Sequence, residues 1–265
     1  MEIIKSIILG AVQGLTEFLP ISSSGHLILT RDILGVNGGD GLAFDAVLQL
    51  ATTLAIIVYF RQDIFVLAKT FIRILFKMPV DSEDKKLFWF VVFATIPAVV
   101  LGLLLENTME TIFRSSLLVA CTLLIGSVIM YAAEKRLGHH TDLSSKKSFF
   151  LGVFQSLALI PGMSRSGMTI SGGLLLGLRR EVAVRMSFVM AVPILIGSGL
   201  KQFLDLLSGG GFAAIGLNLF LASTTAFLVG LWAIHFLIRY LKNHTMMIFV
   251  WYRVVIAIVI LLTLN

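Results

Sequence analysis

Six long runs of the chain carry almost nothing but apolar residues: Leu42–Phe60, Leu87–Leu105, Ser115–Ala133, Val182–Leu200, Ala213–Ile238 and Met246–Leu264. A helix needs roughly 20 apolar residues to cross about 30 Å of hydrocarbon, so each run predicts a transmembrane span. A water-soluble helical protein would need a polar face on such helices. Two further apolar regions are shorter and interrupted. The first breaks at Pro20-Ile21-Ser22-Ser23-Ser24-Gly25, the second at Pro161-Gly162-Met163-Ser164-Arg165-Ser166-Gly167. On each side of either break the apolar arm is too short to span comfortably. The pattern predicts two helix–break–helix hairpins that enter the membrane and return. Unwound backbone at that depth is tolerated where it is buried in protein or lines a wet cavity. Between Leu42–Phe60 and Leu87–Leu105, the stretch Asp63–Lys77 is apolar on one face and carries Lys69, Arg73 and Lys77 on the other. That stretch reads as an amphipathic helix lying in the interface.

The two breaks are related. Shifting the chain by 142 positions aligns Lys5–Gly35 with Lys147–Gly177 without a gap, with 12 identities in 31 positions. They include Lys5/Lys147, Gln13/Gln155, Ser22/Ser164, Ser24/Ser166 and Gly25/Gly167. Matched Leu or Ile is expected in apolar sequence; matched Lys, Gln, Ser and Gly at one offset is not. Three spans separate the hairpins, an odd number, so they enter from opposite sides. The expected architecture is an all-α integral membrane protein with an inverted-topology repeat, each half a re-entrant hairpin plus three transmembrane helices. The whole of 1–265 forms one polytopic domain, with repeats at about 1–134 and 147–265.

Composition agrees and charge adds sidedness. The chain is 57% hydrophobic and 14% charged, against about 25% charged in soluble domains. Its net charge of +6 is spread along loops and points to lipid topology rather than nucleic acid. One face collects Arg61, Lys69, Arg73, Lys77, Lys85, Lys86, Lys135, Arg136, Lys146, Lys147, Arg179, Arg180, Arg185, Arg239, Lys242 and Arg253; the other has Lys5, Arg31, Arg114 and Lys201. The positive-inside rule makes the first face cytoplasmic. Both termini and the first hairpin are then expected on the extracytoplasmic side. The lone Cys121 can form no intrachain disulfide.

Ionisable groups at membrane depth are functional candidates, and three sit at the breaks: Glu17, His26 and Arg165. Gln13 and Glu17 are four apart and share a helical face. Glu17 can ligate a divalent cation, act as acid or base, or pair with Arg165. His26 can accept a proton or attack phosphorus. Ser22, Ser23 and Ser24 offer hydroxyls and backbone N–H groups, for capping or for catalysis. Arg165 can grip phosphate oxygens in bidentate fashion. Ser164 and Ser166 flank it, Gly162 and Gly167 allow close backbone approach, and Thr169 can cap or donate. The helices that start after each break aim free N–H groups at it, which favours an anion. Asp45 and Gln49 share a face and can support the site. No P-loop, Cys/His zinc pattern or GxSxG elbow occurs.

The segment Gln13-Gly14-Leu15-Thr16-Glu17-Phe18-Leu19-Pro20-Ile21-Ser22-Ser23-Ser24-Gly25-His26 resembles the first motif of the undecaprenyl-diphosphate phosphatase (bacitracin-resistance) family. Pro161-Gly162-Met163-Ser164-Arg165-Ser166-Gly167-Met168-Thr169 resembles its second. The resemblance covers essentially the whole chain. It implies hydrolysis of a C55 polyprenyl diphosphate to the monophosphate carrier of peptidoglycan synthesis, with dependence on Mg²⁺ or Ca²⁺. It further implies a bacterial plasma or inner membrane location and bacitracin resistance. Family members often carry Glu where this chain has Gln13, which leaves Glu17 as the expected metal carboxylate. Under the resemblance Glu17, His26, Ser23 and Arg165 are catalytic, and Gln13, Ser22, Ser24, Gly162, Ser164, Ser166, Gly167 and Thr169 bind the phosphates. His26, with Ser23, would supply or activate the nucleophile. The expected partners are the polyprenyl diphosphate and membrane lipid, no nucleic acid, with a homodimer left open. The alternative from another class is a polyprenyl-phosphate transporter or flippase without hydrolysis. Binding alone, however, needs fewer reactive groups than these.

Overall fold

The computed structural model describes residues 2–36, 41–105, 115–136, 138, 140–141, 143–208 and 216–263. Arg114, the start of the Ala213–Ile238 run and Leu264 lie outside them. Among the described residues there are twelve α-helices and no strand. They are α1 Ile3–Phe18, α2 Ser23–Leu34, α3 Gly41–Tyr59, α4 Arg61–Leu75, α5 Ser82–Leu104 and α6 Ser116–Glu134. The second half adds α7 Ser145–Ser156, α8 Arg165–Leu175, α9 Arg180–Val189, α10 Ala191–Ser208, α11 Gly216–Asn243 and α12 Met247–Thr263. A 3₁₀ turn, Leu157–Leu159, extends α7.

Among the described residues four of the expected spans are helices long and apolar enough to cross a membrane, α5, α6, α9 with α10, and α11; the runs Leu42–Phe60 and Met246–Leu264 form α3, which bends into α4, and the shorter apolar helix α12. The run at Val182–Leu200 is not one uninterrupted helix: it divides at Met190 between α9 and α10. Pro193 sits three residues into α10, where a missing N–H costs little. The outward surface is apolar, with Leu104, Val128, Phe220, Trp232 and Trp251 exposed. Such a surface suits lipid, and the molecule is a multi-pass membrane protein. α4 leaves α3 at 89°, as a helix turning into the interface plane would. Asp63 near its start is paired with Arg185 of α9.

Local chemistry ends each hairpin arm. Leu19 precedes Pro20 and is extended, at φ −67° and ψ 142°, as the residue before proline must be. α2 stops at Gly35 in the left-handed region, φ 62°, its N–H returning to the carbonyls of Arg31 and Asp32. The arms are short: 16 and 12 residues for α1 and α2, 12 and 11 for α7 and α8. None of these arms is long enough to cross the hydrocarbon by itself.

The two halves interlock. α1 packs along α11 of the other half, and α7 packs along α5. Small residues permit both approaches. A Cβ on Gly14 would fall 2.6 Å from the carbonyl oxygen of Ala226, and one on Gly152 would fall 2.6 Å from that of Ala94. α6 packs on α12 and α3 on α10. Each first arm is thereby gripped by a long helix of the opposite half, and the two breaks are carried to the centre.

Candidate active site

The two breaks have the same backbone geometry. Ser22 has φ 77° and ψ 103°; Ser164 has φ 70° and ψ 115°. Together with Lys77, these are the non-glycine residues of positive φ among the described residues. Such a conformation costs about 1–2 kcal/mol for a side-chain-bearing residue, so it persists where its surroundings enforce it. In each break the serine hydroxyl reaches the hydroxyl two residues on: Ser22 to Ser24 at 3.3 Å, Ser164 to Ser166 at 3.4 Å. The Ser164 hydroxyl also caps α8 by accepting from the N–H of Gly167 at 3.2 Å.

Glu17 is the hub. It lies on the last turn of α1, 8% exposed. Its Oε2 accepts from the Ser23 hydroxyl at 2.8 Å and from the Gln13 amide at 3.2 Å. Its Oε1 accepts from Nη2 of Arg165 at 3.2 Å. Ser23 and Arg165 occupy equivalent positions of the two repeats, 142 apart. Each begins the helix that follows its break. The carboxylate of the first repeat is therefore reached from both breaks at once.

Arg165 is incompletely satisfied. Its other bonds are long: Nη1 to the Ser187 carbonyl at 3.4 Å and Nη2 to the Glu17 carbonyl at 3.5 Å. Its Nε is buried without a hydrogen-bond partner. A buried donor left unpaired costs about 1–3 kcal/mol, and an arriving oxyanion removes that cost. Thr169 supports the arginine from below: its hydroxyl donates to the Arg165 carbonyl at 2.7 Å and meets the Ser187 hydroxyl at 2.5 Å. Ser166 and Thr169 are fully buried, whereas Ser24 is exposed.

His26 is held apart from this cluster. Nδ1 lies 2.7 Å from the Ser22 carbonyl oxygen. A carbonyl can only accept, so Nδ1 carries a proton, and in the neutral ring Nε2 carries the lone pair. That lone pair faces the hydroxyl of Tyr252 at 2.8 Å, with the rings stacked at 5.6 Å. The expected partnership of His26 with Ser23 is not formed: Ser23 bonds to Glu17, and His26 bonds to a tyrosine of α12. Asp45 does not join the site either, because its carboxylate forms a two-pronged ion pair with Arg31.

Arg253 corrects the charge count made from sequence. It was counted with the cytoplasmic face but is a fully buried residue of α12. Its Nη2 donates to the carbonyls of Gly162 at 2.9 Å and Leu123 at 3.2 Å, and its Nε to the Ser127 hydroxyl at 3.2 Å. Nη1 reaches the Pro20 carbonyl at 3.5 Å. Gly126 leaves the room, since a Cβ there would fall 2.3 Å from Nη2. Gly162, at φ 92°, lies against Thr122 of α6. Sequence reasoning missed Arg253 and Tyr252. The available signal was an arginine seven residues into an apolar run.

The family model described as Bacitracin resistance protein BacA matches residues 6–259. The chain belongs to the BacA family. Similar proteins named undecaprenyl-diphosphatase cover it almost end to end. One from Mycolicibacterium smegmatis is 42% identical over 270 residues, spanning 100% of this chain and 98% of its own. One from Thermobifida fusca is 40% identical over 265 residues, spanning 98% and 90%. One from Methanosphaera stadtmanae is 40% identical over 272 residues, spanning 98% and 97%.

A divalent cation fits this donor set in one manner. Among the described residues no three His, Cys, Asp or Glu side chains cluster to form an all-protein cage. Mg²⁺ is commonly held by one or two carboxylates with substrate phosphates and water completing the shell. Glu17 is the carboxylate that fits such a part, with the Gln13 amide N–H holding its Oε2.

Proposed function

We propose that this protein hydrolyses undecaprenyl diphosphate to undecaprenyl phosphate and inorganic phosphate. The observation that carries this reading is the buried Glu17–Ser23–Arg165 cluster, in which a hydroxyl faces a carboxylate and a guanidinium keeps a buried donor unspent. The proteins it resembles are named for that substrate. The activity recycles the lipid carrier for peptidoglycan synthesis, and loss of the diphosphate form confers bacitracin resistance.

The residues divide the work. Arg165, through its free Nε and its weakly engaged Nη atoms, binds the terminal phosphate and offsets the charge that builds on its oxygens. The N–H groups at the starts of α2 and α8 add to that field. Ser23 is the nucleophile the geometry favours, since its proton has Glu17 Oε2 to go to. Its Oγ forms a bond to the terminal phosphorus while the bond from that phosphorus to the bridging oxygen breaks. The lipid monophosphate leaves, and water then cleaves the seryl phosphate. Glu17 would hold a Mg²⁺ ion, which would supply charge neutralisation on the phosphate oxygens, and Gln13 steadies that carboxylate. The lipid tail stays against the apolar exterior.

Sidedness follows from the loop charges. We place both termini and the Glu17 hairpin on the extracytoplasmic side and the Arg165 hairpin on the cytoplasmic side, as an inverted repeat. The shared break geometry and the reciprocal packing of the halves support it.

The test is phosphate release from undecaprenyl diphosphate by purified protein in detergent, with and without EDTA. Wild type is expected to release phosphate, and Glu17→Ala, Ser23→Ala and Arg165→Ala to release almost none. EDTA is expected to stop the wild type, and excess Mg²⁺ to restore it. Undiminished release by the three variants would sink the assignment.

A further inference from the structure

Arg253 touches the two breaks at matching places. Pro20 and Gly162 are equivalent positions of the repeat, 142 apart, and both lie far from Arg253 in sequence. Nη1 donates to the carbonyl of one and Nη2 to the carbonyl of the other. Each carbonyl lies three residues ahead of the side chain that its break delivers to Glu17, Ser23 in one case and Arg165 in the other. The guanidinium is itself anchored to α6 through Ser127 and the Leu123 carbonyl. No carboxylate pairs with it among the described residues. A buried cation satisfied by peptide oxygens is expensive, so packing alone is a poor reason to keep one in a membrane.

We propose that Arg253 is a positioning residue that fixes the spacing between the two hairpin tips, and through it the placement of Ser23 and Arg165 on opposite sides of Glu17. A planar fork with several donors can hold two carbonyls at once; an ammonium holds a point. Arg253 touches neither the hydroxyl nor the carboxylate of the cluster. It acts on them through the backbone of the breaks. This inference rests on the phosphatase reading for its kinetic consequence, though not for its structural one.

The decisive variant is Arg253→Lys, which keeps the charge and loses the fork. Misplacement by about 1 Å lowers turnover by about 10²-fold, and that loss is expected in kcat, with KM within about threefold of wild type. Ser127→Ala, which removes the anchor of Nε and leaves the rest in place, is expected to lower kcat about fivefold. It covers the case in which Arg253→Lys does not fold. Independently of activity, spin labels at Ile33→Cys of α2 and Arg179→Cys just after α8, in a Cys121→Ala background, report the spacing of the hairpins by pulsed electron resonance. Arg253→Lys is expected to broaden or shift that distance distribution. Wild-type kcat in both variants would overturn the proposal, as would an unchanged distribution. A fall in thermal stability with kcat preserved would reduce Arg253 to a packing residue and overturn it too. An inactive wild type with a distribution that responds to Arg253→Lys would fault the phosphatase reading and leave this one standing.

Discussion

Removing one partner of the Glu17–Arg165 pair should cost far more than removing both. The side chains are 7% and 10% exposed and their charged atoms 3.2 Å apart. At an effective dielectric constant of 20 their attraction is about 332/(20 × 3.2), or about 5 kcal/mol. Desolvation of both ions consumes most of it, so the pair adds little net stability, but a survivor is left as an uncompensated buried charge. Glu17→Gln and Arg165→Met are therefore each expected to destabilise by about 3–5 kcal/mol. The double variant should lie within about 1–2 kcal/mol of wild type. The assay is unfolding by SDS in mixed micelles, followed by the fluorescence of Trp89, Trp232 and Trp251. The coupling energy from the double-mutant cycle should be about 3 kcal/mol or more. A coupling under about 0.5 kcal/mol, or a double variant as unstable as the sum of the singles, would refute the claim that these charges are buried against each other. All three variants should be inactive, so the cycle separates stability from function.

Gly162→Ala is expected to inactivate the protein with a loss of stability of about 1–3 kcal/mol, because the new Cβ meets the Thr122 hydroxyl and the Val119 carbonyl and φ is 92°; normal turnover would refute the tight fit of the second break against α6. Tyr252→Phe frees the lone pair of His26 without touching Glu17. If Ser23 is the nucleophile, kcat should change by less than about tenfold, the scale of one hydrogen bond; abolished activity would instead make His26 and Tyr252 central to the chemistry.

Much of this architecture was legible because it is written in residue types that lipid makes costly. Glu17, Arg165 and the serines stand out against apolar neighbours, and the shift of 142 links the breaks. The spacing of Gln13 and Glu17 predicted one face, and their side chains do bond to each other. The amphipathic stretch at Asp63–Lys77 was visible from its lysines and arginine, and α4 lies there. Arg253 was not legible for a physical reason. Its partners are backbone carbonyls, which every residue possesses, so no complementary side chain marks the place where it docks. Tyr252 was hidden because its partner lies 226 positions away and a tyrosine in an apolar run reads as lipid contact. The ion pair of Arg31 with Asp45 shows the opposite failure: Asp45 looked available until its near neighbour on α2 claimed it.

The shortness of the hairpin arms bears on how substrate and products travel. At 1.5 Å per residue, α7 rises about 18 Å and α8 about 16 Å, roughly half of the hydrocarbon thickness. A diphosphate headgroup must then sink from the surface of the bilayer to reach Arg165, while its tail stays in lipid. Hydrolysis divides that cargo into a lipid that can rise sideways and a small phosphate anion that cannot enter lipid at all. The site therefore needs two exits, one greasy and lateral for the lipid and one aqueous for the phosphate. Of the two equivalent serines Ser24 is exposed and Ser166 fully buried, so the first break is the one open to the surroundings.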